Sequence, residues 1–150
     1  MRTVIQRVKS ASVAVKSETV GKIADGLCVL AGIEPSDTMD DLKWMMQKII
    51  HLRIFEDENG KMNKSLTDTG GAVLLVSQFT LLAVCVKGRR PSFTQAGNPK
   101  IAANLFDTFV SLFKQQNIET QTGIFGADMM VHIDNDGPAT FILQSPKKEV

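Results

Sequence analysis

Apolar and polar residues alternate over 2–8 and again over 11–16, with Val, Ile and Thr recurring, and this period of two predicts two strands. Ser17-Glu18 and the following Gly21 suggest a hairpin into a third strand at 19–24. The run LCVLAGI at 27–33 is apolar throughout, as expected of a strand buried on both faces. Pro35-Ser36-Asp37 then breaks the chain. Asp37 is the expected N-cap of a helix, with Asp40 and Asp41 placed favourably in its first turn. Leu42, Met45, Met46 and Ile49 follow at i, i+3, i+4 and i+7, one face of that helix.

Further on, 52–56 reads as a strand, Glu58-Asn59-Gly60 as a turn and 72–79 as an apolar strand. Residues 87–98 form a loop rich in Gly, Arg, Pro, Ser and Asn. Asn98-Pro99 opens a second helix, with Pro at its first position, and Ala102, Leu105, Phe106, Phe109 and Phe113 make its apolar face. Two last strands are expected near 127–133 and 139–144, and the polar tail 145–150 is expected to fray. The sum is one α/β domain over 1–150: mostly antiparallel or mixed sheets, barrel-like, with two main helices packed on one side.

At 43% hydrophobic and 22% charged, the chain has material for an ordinary core, and its apolar runs are too short to predict a membrane span. Cys28 and Cys85 sit far apart in apolar stretches, which argues against a disulfide framework and for a reducing, cytoplasmic compartment. A net charge of +1 is too small for a protein that grips a long stretch of nucleic acid, so any such contact must be local. One local cluster exists, Lys87, Arg89 and Arg90, followed closely by Phe93. It is either a solvated turn or a phosphate contact beside a stacking ring.

The candidate chemistry centres on Ser77-Gln78-Phe79-Thr80-Leu81, a polar end to an apolar strand, and on Asn135-Asp136-Gly137-Pro138. The hydroxyls of Ser77 and Thr80 are weak nucleophiles unless a base adjoins them. Only His51 and His132 are available. His132 and Asp134 share a strand face, so a hydroxyl-His-Asp set is conceivable, but no nucleophile-elbow motif accompanies it. The cysteines, histidines and acidic pairs have no metal-binding spacing, and neither Gly70-Gly71 nor Gly123-x-x-Gly126 fits a phosphate-binding loop. No metal or cofactor is expected. Gly137-Pro138 alone reads equally well as a turn.

Six segments in order carry a resemblance: MRTVIQRVKSASVAV at the start, LRIFEDENGKMNKSL at 52–66, VSQFTL at 76–81, KGRRPSF at 87–93, TGIFGADMMV at 122–131 and NDGPAT at 135–140. Together they resemble the D-aminoacyl-tRNA deacylases over nearly the whole chain. The resemblance implies a homodimeric hydrolase, active in translational proofreading, that cleaves the ester joining a D-amino acid, or mischarged glycine, to the 3′-terminal adenosine of tRNA. It implies that Ser77, Gln78, Phe79 and Thr80 form the catalytic pocket. It further implies that the Gly137-Pro138 step is cis, reaches into the partner's pocket and excludes L-aminoacyl groups. By the same resemblance Phe125, Gly126, Ala127, Asp128 and Met129 line the adenosine side; Lys87, Arg89, Arg90 and Phe93, the local basic cluster, are the candidates for contact with the tRNA end. The chain departs from the family at Leu82-Ala83-Val84-Cys85-Val86, apolar where a polar loop is usual. Two rival readings are a non-catalytic module that binds the tRNA 3′ end and a conventional hydrolase built on His132.

Overall fold

The computed structural model describes residues 1–94 and 96–146. In chain order it contains β1 (Arg2–Val15), β2 (Glu18–Ile23), β3 (Gly26–Gly32), α1 (Met39–His51), β4 (Phe55–Glu56), β5 (Met62–Lys64), α2 (Leu66–Thr69) and β6 (Ala72–Ser77). A 3-10 turn (Phe79–Leu82), α3 (Pro99–Gln115), β7 (Thr120–Thr122) and β8 (Met130–Gln144) complete it.

The two alternating segments expected at the start are one strand. β1 pairs antiparallel with β3 through residues 2–8, with β2 through 11–15, and with β8 along its other edge. β3, β6 and β7 continue the sheet in parallel. The sheet curls until β2 meets β7. Gly21 permits that approach, since a Cβ there would stand 2.6 Å from the Thr122 carbonyl oxygen. The result is the nearly closed, barrel-like mixed sheet of the expected α/β class.

Both faces of β3 and β6 are buried, which explains their unbroken apolar runs. Cys28, Leu74 and Val76 point inward with Val8, Val13 and Ile23. Leu27, Val29, Val73 and Leu75 point outward against Leu42, Met45 and Ile49 of α1 and Phe106, Phe109 and Phe113 of α3. Phe109 and Phe113 meet edge to face at 5.1 Å.

Several boundaries differ from expectation, each because a polar group is committed elsewhere. The N-cap of α1 is Thr38, whose amide donates to Asp41 at 2.8 Å, while Asp37 accepts from the Met1 ammonium and the Glu34 amide. Only Phe55–Glu56 of the expected 52–56 strand pairs, because the Ile54 carbonyl accepts from Arg7 and the Arg53 side chain binds Asn63. β6 ends at Ser77, and Gln78 turns the chain into the 3-10 segment. The last two strands are one. Across the irregular stretch, the Asn135 amide nitrogen donates to the Arg7 and Ala139 carbonyls at 2.9 and 3.0 Å, replacing ladder bonds beside Pro138, which has no N–H to give. Fraying does not begin at Ser145, which is buried and hydrogen-bonded to Met1; residues 147–150 lie outside the described region. Among the described residues no helix is long and apolar enough to cross a membrane.

Candidate functional site

The end of β6 opens onto a cavity of about 600 Å³. Its floor comes from β3 and β6 (Ala31, Val76, Ser77), one wall from the start of α3 (Pro99, Ala102, Phe106), and the facing wall from Phe125, Gly126, Ala127, Asp128 and Met129. Gln78, Phe79 and Phe93 stand at its rim. The Phe79 and Phe93 rings lie 5.1 Å apart, tilted by 60°, although Phe79 is 55% exposed. Phe106 and Phe125 form a second tilted pair at 6.1 Å. Apolar groups dominate, and Asp128 is the one ionisable side chain of the lining.

Local folding explains how these groups are presented. The Gln78 amide donates to Ala31 at 2.8 Å, which keeps the chain on the sheet for one more residue. The 3-10 turn then begins, and the amides of Phe79 and Thr80, as its first two, have no acceptor within the turn. The Gln78 side chain donates to the Thr80 hydroxyl, fixing its direction. Across the rim, Val84 and Ser92 exchange backbone hydrogen bonds at 2.8 and 3.0 Å, so the apolar 82–86 stretch forms one arm of a closed loop. The other arm carries Phe93 and ends at Gly97, packed on Pro35. A Cβ on Gly97 would stand 1.9 Å from the Pro35 ring.

The structure thus brings together Ser77, Gln78, Phe79, Phe93, Phe125, Gly126, Ala127 and Met129, with Thr80 beside them. It leaves Lys87, Arg89 and Arg90 exposed at the tip of the loop, outside the cavity. His132 and Asp134 lie on the exposed side of β8, and His51 ends α1 with Nδ1 against the Gln47 carbonyl. None of the three lines the cavity, so among the described residues no imidazole adjoins Ser77, and the one carboxylate of the lining, Asp128, is on the facing wall. Burial pushes the Cys28 thiol up to about 12, which leaves it an inert core group. Among the described residues no three His, Cys, Asp or Glu side chains converge as metal ligands.

Gly137 and Pro138 are exposed, joined by a cis peptide, and do not line this chain's own cavity. They are held from behind by Arg7, which is 4% exposed. Its Nε donates to the Asp136 carbonyl at 3.2 Å and pairs with the Asp136 carboxylate at 3.1 Å, while Nη1 donates to the Ile54 carbonyl at 2.8 Å. Gly137 has φ +128°, a conformation that L side chains rarely adopt, and a Cβ there would crowd Arg7 Nη2 at 3.0 Å. The sequence gives no local sign of Arg7, because its partners lie 47 and 129 positions away. Ala102 and Phe106 were equally hidden, since their helical spacing reads as core.

Comparison with known proteins agrees with this geometry. Residues 4–144 match the family model described as D-Tyr-tRNA(Tyr) deacylase. A "D-aminoacyl-tRNA deacylase" of Desulfotalea psychrophila is 55% identical over 98% of this chain and 99% of its own length. One of the same name from Chlorobaculum tepidum is 56% identical over 99% of each. Among solved structures, one titled "c-Myc DNA Unwinding Element Binding Protein" superposes with a TM-score of 0.90 at 45% identity, covering 98% of this chain and 100% of that one. The chain therefore belongs to the D-Tyr-tRNA(Tyr) deacylase family.

Proposed function

We propose that this chain hydrolyses the ester between a D-amino acid and the 3′-terminal adenosine of tRNA, releasing both, and that it also accepts glycine. The observation that carries the reading is the cavity itself. It has room for a nucleoside with an attached amino acid, aromatic pairs at the rim and inner wall, and, at the strand end, two amides to which the 3-10 turn gives no acceptor. An aminoacyl ester is already activated, so the enzyme has only to place water and stabilise the developing oxyanion. The amides of Phe79 and Thr80 are the donors for that oxyanion. No side chain is the nucleophile, because no imidazole lines the cavity to activate the hydroxyls; the substrate's ribose 2′-hydroxyl assists proton movement.

Selection between D and L is assigned to Gly137-Pro138 of a second subunit, which crowds the α-carbon and leaves no room for an L side chain. Glycine has nothing to clash. Three observations support a cross-subunit role. The corner is exposed and rigidly backed by Arg7; it does not line its own cavity; and β8 presents Met130 (64% exposed) and Ile142 (71% exposed) on an open face. A two-fold pairing through that face would give two equivalent pockets. Lys87, Arg89 and Arg90 hold phosphates of the tRNA end, and the setting is the cytoplasm. The test is to compare cleavage of D-aminoacyl-, L-aminoacyl- and glycyl-tRNA. D and glycine should be cleaved and L spared; efficient L cleavage removes the clash model, and binding without turnover leaves only a 3′-end binding module.

A further inference from the structure

We infer that a second surface groove, formed by Trp44, Gln47, Lys48, His51, Leu52 and Arg53, is a contact site for the phosphodiester backbone of the tRNA acceptor stem. The inference rests on the deacylase reading above. The groove is an open cavity of about 420 Å³ at the end of α1, well apart in sequence from the residues of the candidate active site. The indole of Trp44 forms its wall, half-buried against the core. The Lys48 ammonium stands 5.7 Å from the ring centroid, a cation–π arrangement that fixes the charge over an aromatic face. Arg53 sends Nε to the Asn63 carbonyl at 2.8 Å, which sets its guanidinium rigidly at the groove's edge with donors still available.

No carboxylate lines the groove. An acidic group on a packed neighbour is Asp68 of α2, whose carboxylate is held below its ordinary range, first by the Ser65 amide and hydroxyl and then by the charges of Arg53 and His51. It is committed to capping α2. A ring, a lysine, an arginine and a histidine around one concavity match an anionic chain that carries planar bases.

Position selects the acceptor stem over other anions. The groove's last residue, Arg53, is followed by Ile54, whose carbonyl accepts from Arg7, and the same guanidinium holds Asp136 at the Gly137-Pro138 corner. Groove and corner are therefore tied through one side chain. If the corner sits in the partner's pocket, the groove flanks the mouth through which the partner's substrate enters. An acceptor end bound there must send its backbone past it. For a chain of net charge +1 such a contact is local, made by the few cations gathered at this groove rather than by the surface as a whole.

The experiment compares Lys48→Glu with the parent protein on two substrates, full-length D-aminoacyl-tRNA and a D-aminoacylated CCA trinucleotide too short to reach the groove. Lys48 is exposed, so folding should survive. KM for the full tRNA should rise about tenfold with kcat unchanged, and the slope of log KM against log salt should lose about one unit. The trinucleotide should be cleaved as before. Trp44→Leu, read by the same ratio of substrates, gives a second reading that general destabilisation would not mimic. Equal loss on both substrates, or no loss on either, overturns the inference. Failure of the parent protein to cleave either substrate would instead overturn the deacylase reading.

Discussion

Replacing Arg7 by Met keeps the volume of the side-chain stem and removes only the guanidinium. The loss can be worked from its contacts. Two backbone carbonyls, of Ile54 and Asp136, lose a charged donor at 2.8 and 3.2 Å, and the Asp136 carboxylate loses its partner at 3.1 Å. Hydrogen bonds to a charged group contribute about 1.5–3 kcal/mol each. Breaking a fully buried ion pair would cost about 3–5 kcal/mol. Here the Asp136 carboxylate is one-third exposed and Lys9 stands 3.7 Å away, so water and a second cation recover part of the loss. Removing a buried cation also relieves its own desolvation. A net destabilisation of about 2–3 kcal/mol follows, or a fall in Tm of roughly 4–12 °C for a chain of this size. Activity should fall further than stability, because the corner at 135–139 loses its backing while the cavity keeps its walls. Thermal unfolding and D-aminoacyl-tRNA cleavage, measured below the lowered Tm, check this together. Arg7→Lys should be intermediate in both, since an ammonium restores charge but not the fork that reaches Ile54 and Asp136 at once. An Arg7→Met protein with parental Tm and parental turnover would refute the positioning role.

Thr80→Ala should lose less than about tenfold in kcat if, as proposed, the hydroxyl positions rather than attacks; abolished turnover with substrate still bound would restore the nucleophile. Gly97→Ala should raise KM about tenfold and cost about 1–2 kcal/mol of stability, since a Cβ 1.9 Å from Pro35 at φ +67° must push the 87–98 arm, and Phe93 with it, off the rim. Steady-state kinetics with circular dichroism separates that from unfolding. Ile142→Asp, on the open face of β8, should shift light scattering from dimer to monomer and abolish cleavage; an active monomer contradicts the shared pocket.

What was legible in the sequence was what depends on near neighbours. Alternation located β1, continuous apolar runs located β3 and β6, and Asn98-Pro99 marked the start of α3, where the Asn98 side chain caps the Lys100 amide at 2.8 Å. Elements whose pattern is set by distant partners were not visible. β7 is three half-buried polar residues, Thr120–Thr122, that form a strand because β6 offers them an edge. Asn135 reads as turn material, yet its side chain is what lets β8 run through Gly137-Pro138 without a break. Arg7 and Val8 are both buried, which violates the period of two. The pairing with β8 shifts register between Gln6 and Val8, and that shift cannot be read from β1 alone.

The charge distribution separates binding from chemistry. The cavity has one ionisable side chain in its lining, at its exposed edge, whereas the cations that can meet RNA stand outside it at 87–90 and along α1. An apolar lining would strengthen the hydrogen bonds made to the proposed oxyanion, because such walls offer few competing polar groups. A lysine or arginine inside would stabilise the negative transition state too, but it would grip the phosphates of any RNA end equally well, whatever amino acid that end carried. On the proposed reading, charge kept at the periphery would let affinity for tRNA and discrimination at the α-carbon be set by different residues. Selection can then rest on fit alone at Gly137-Pro138, with the backing of Arg7 determining how firmly that fit is enforced.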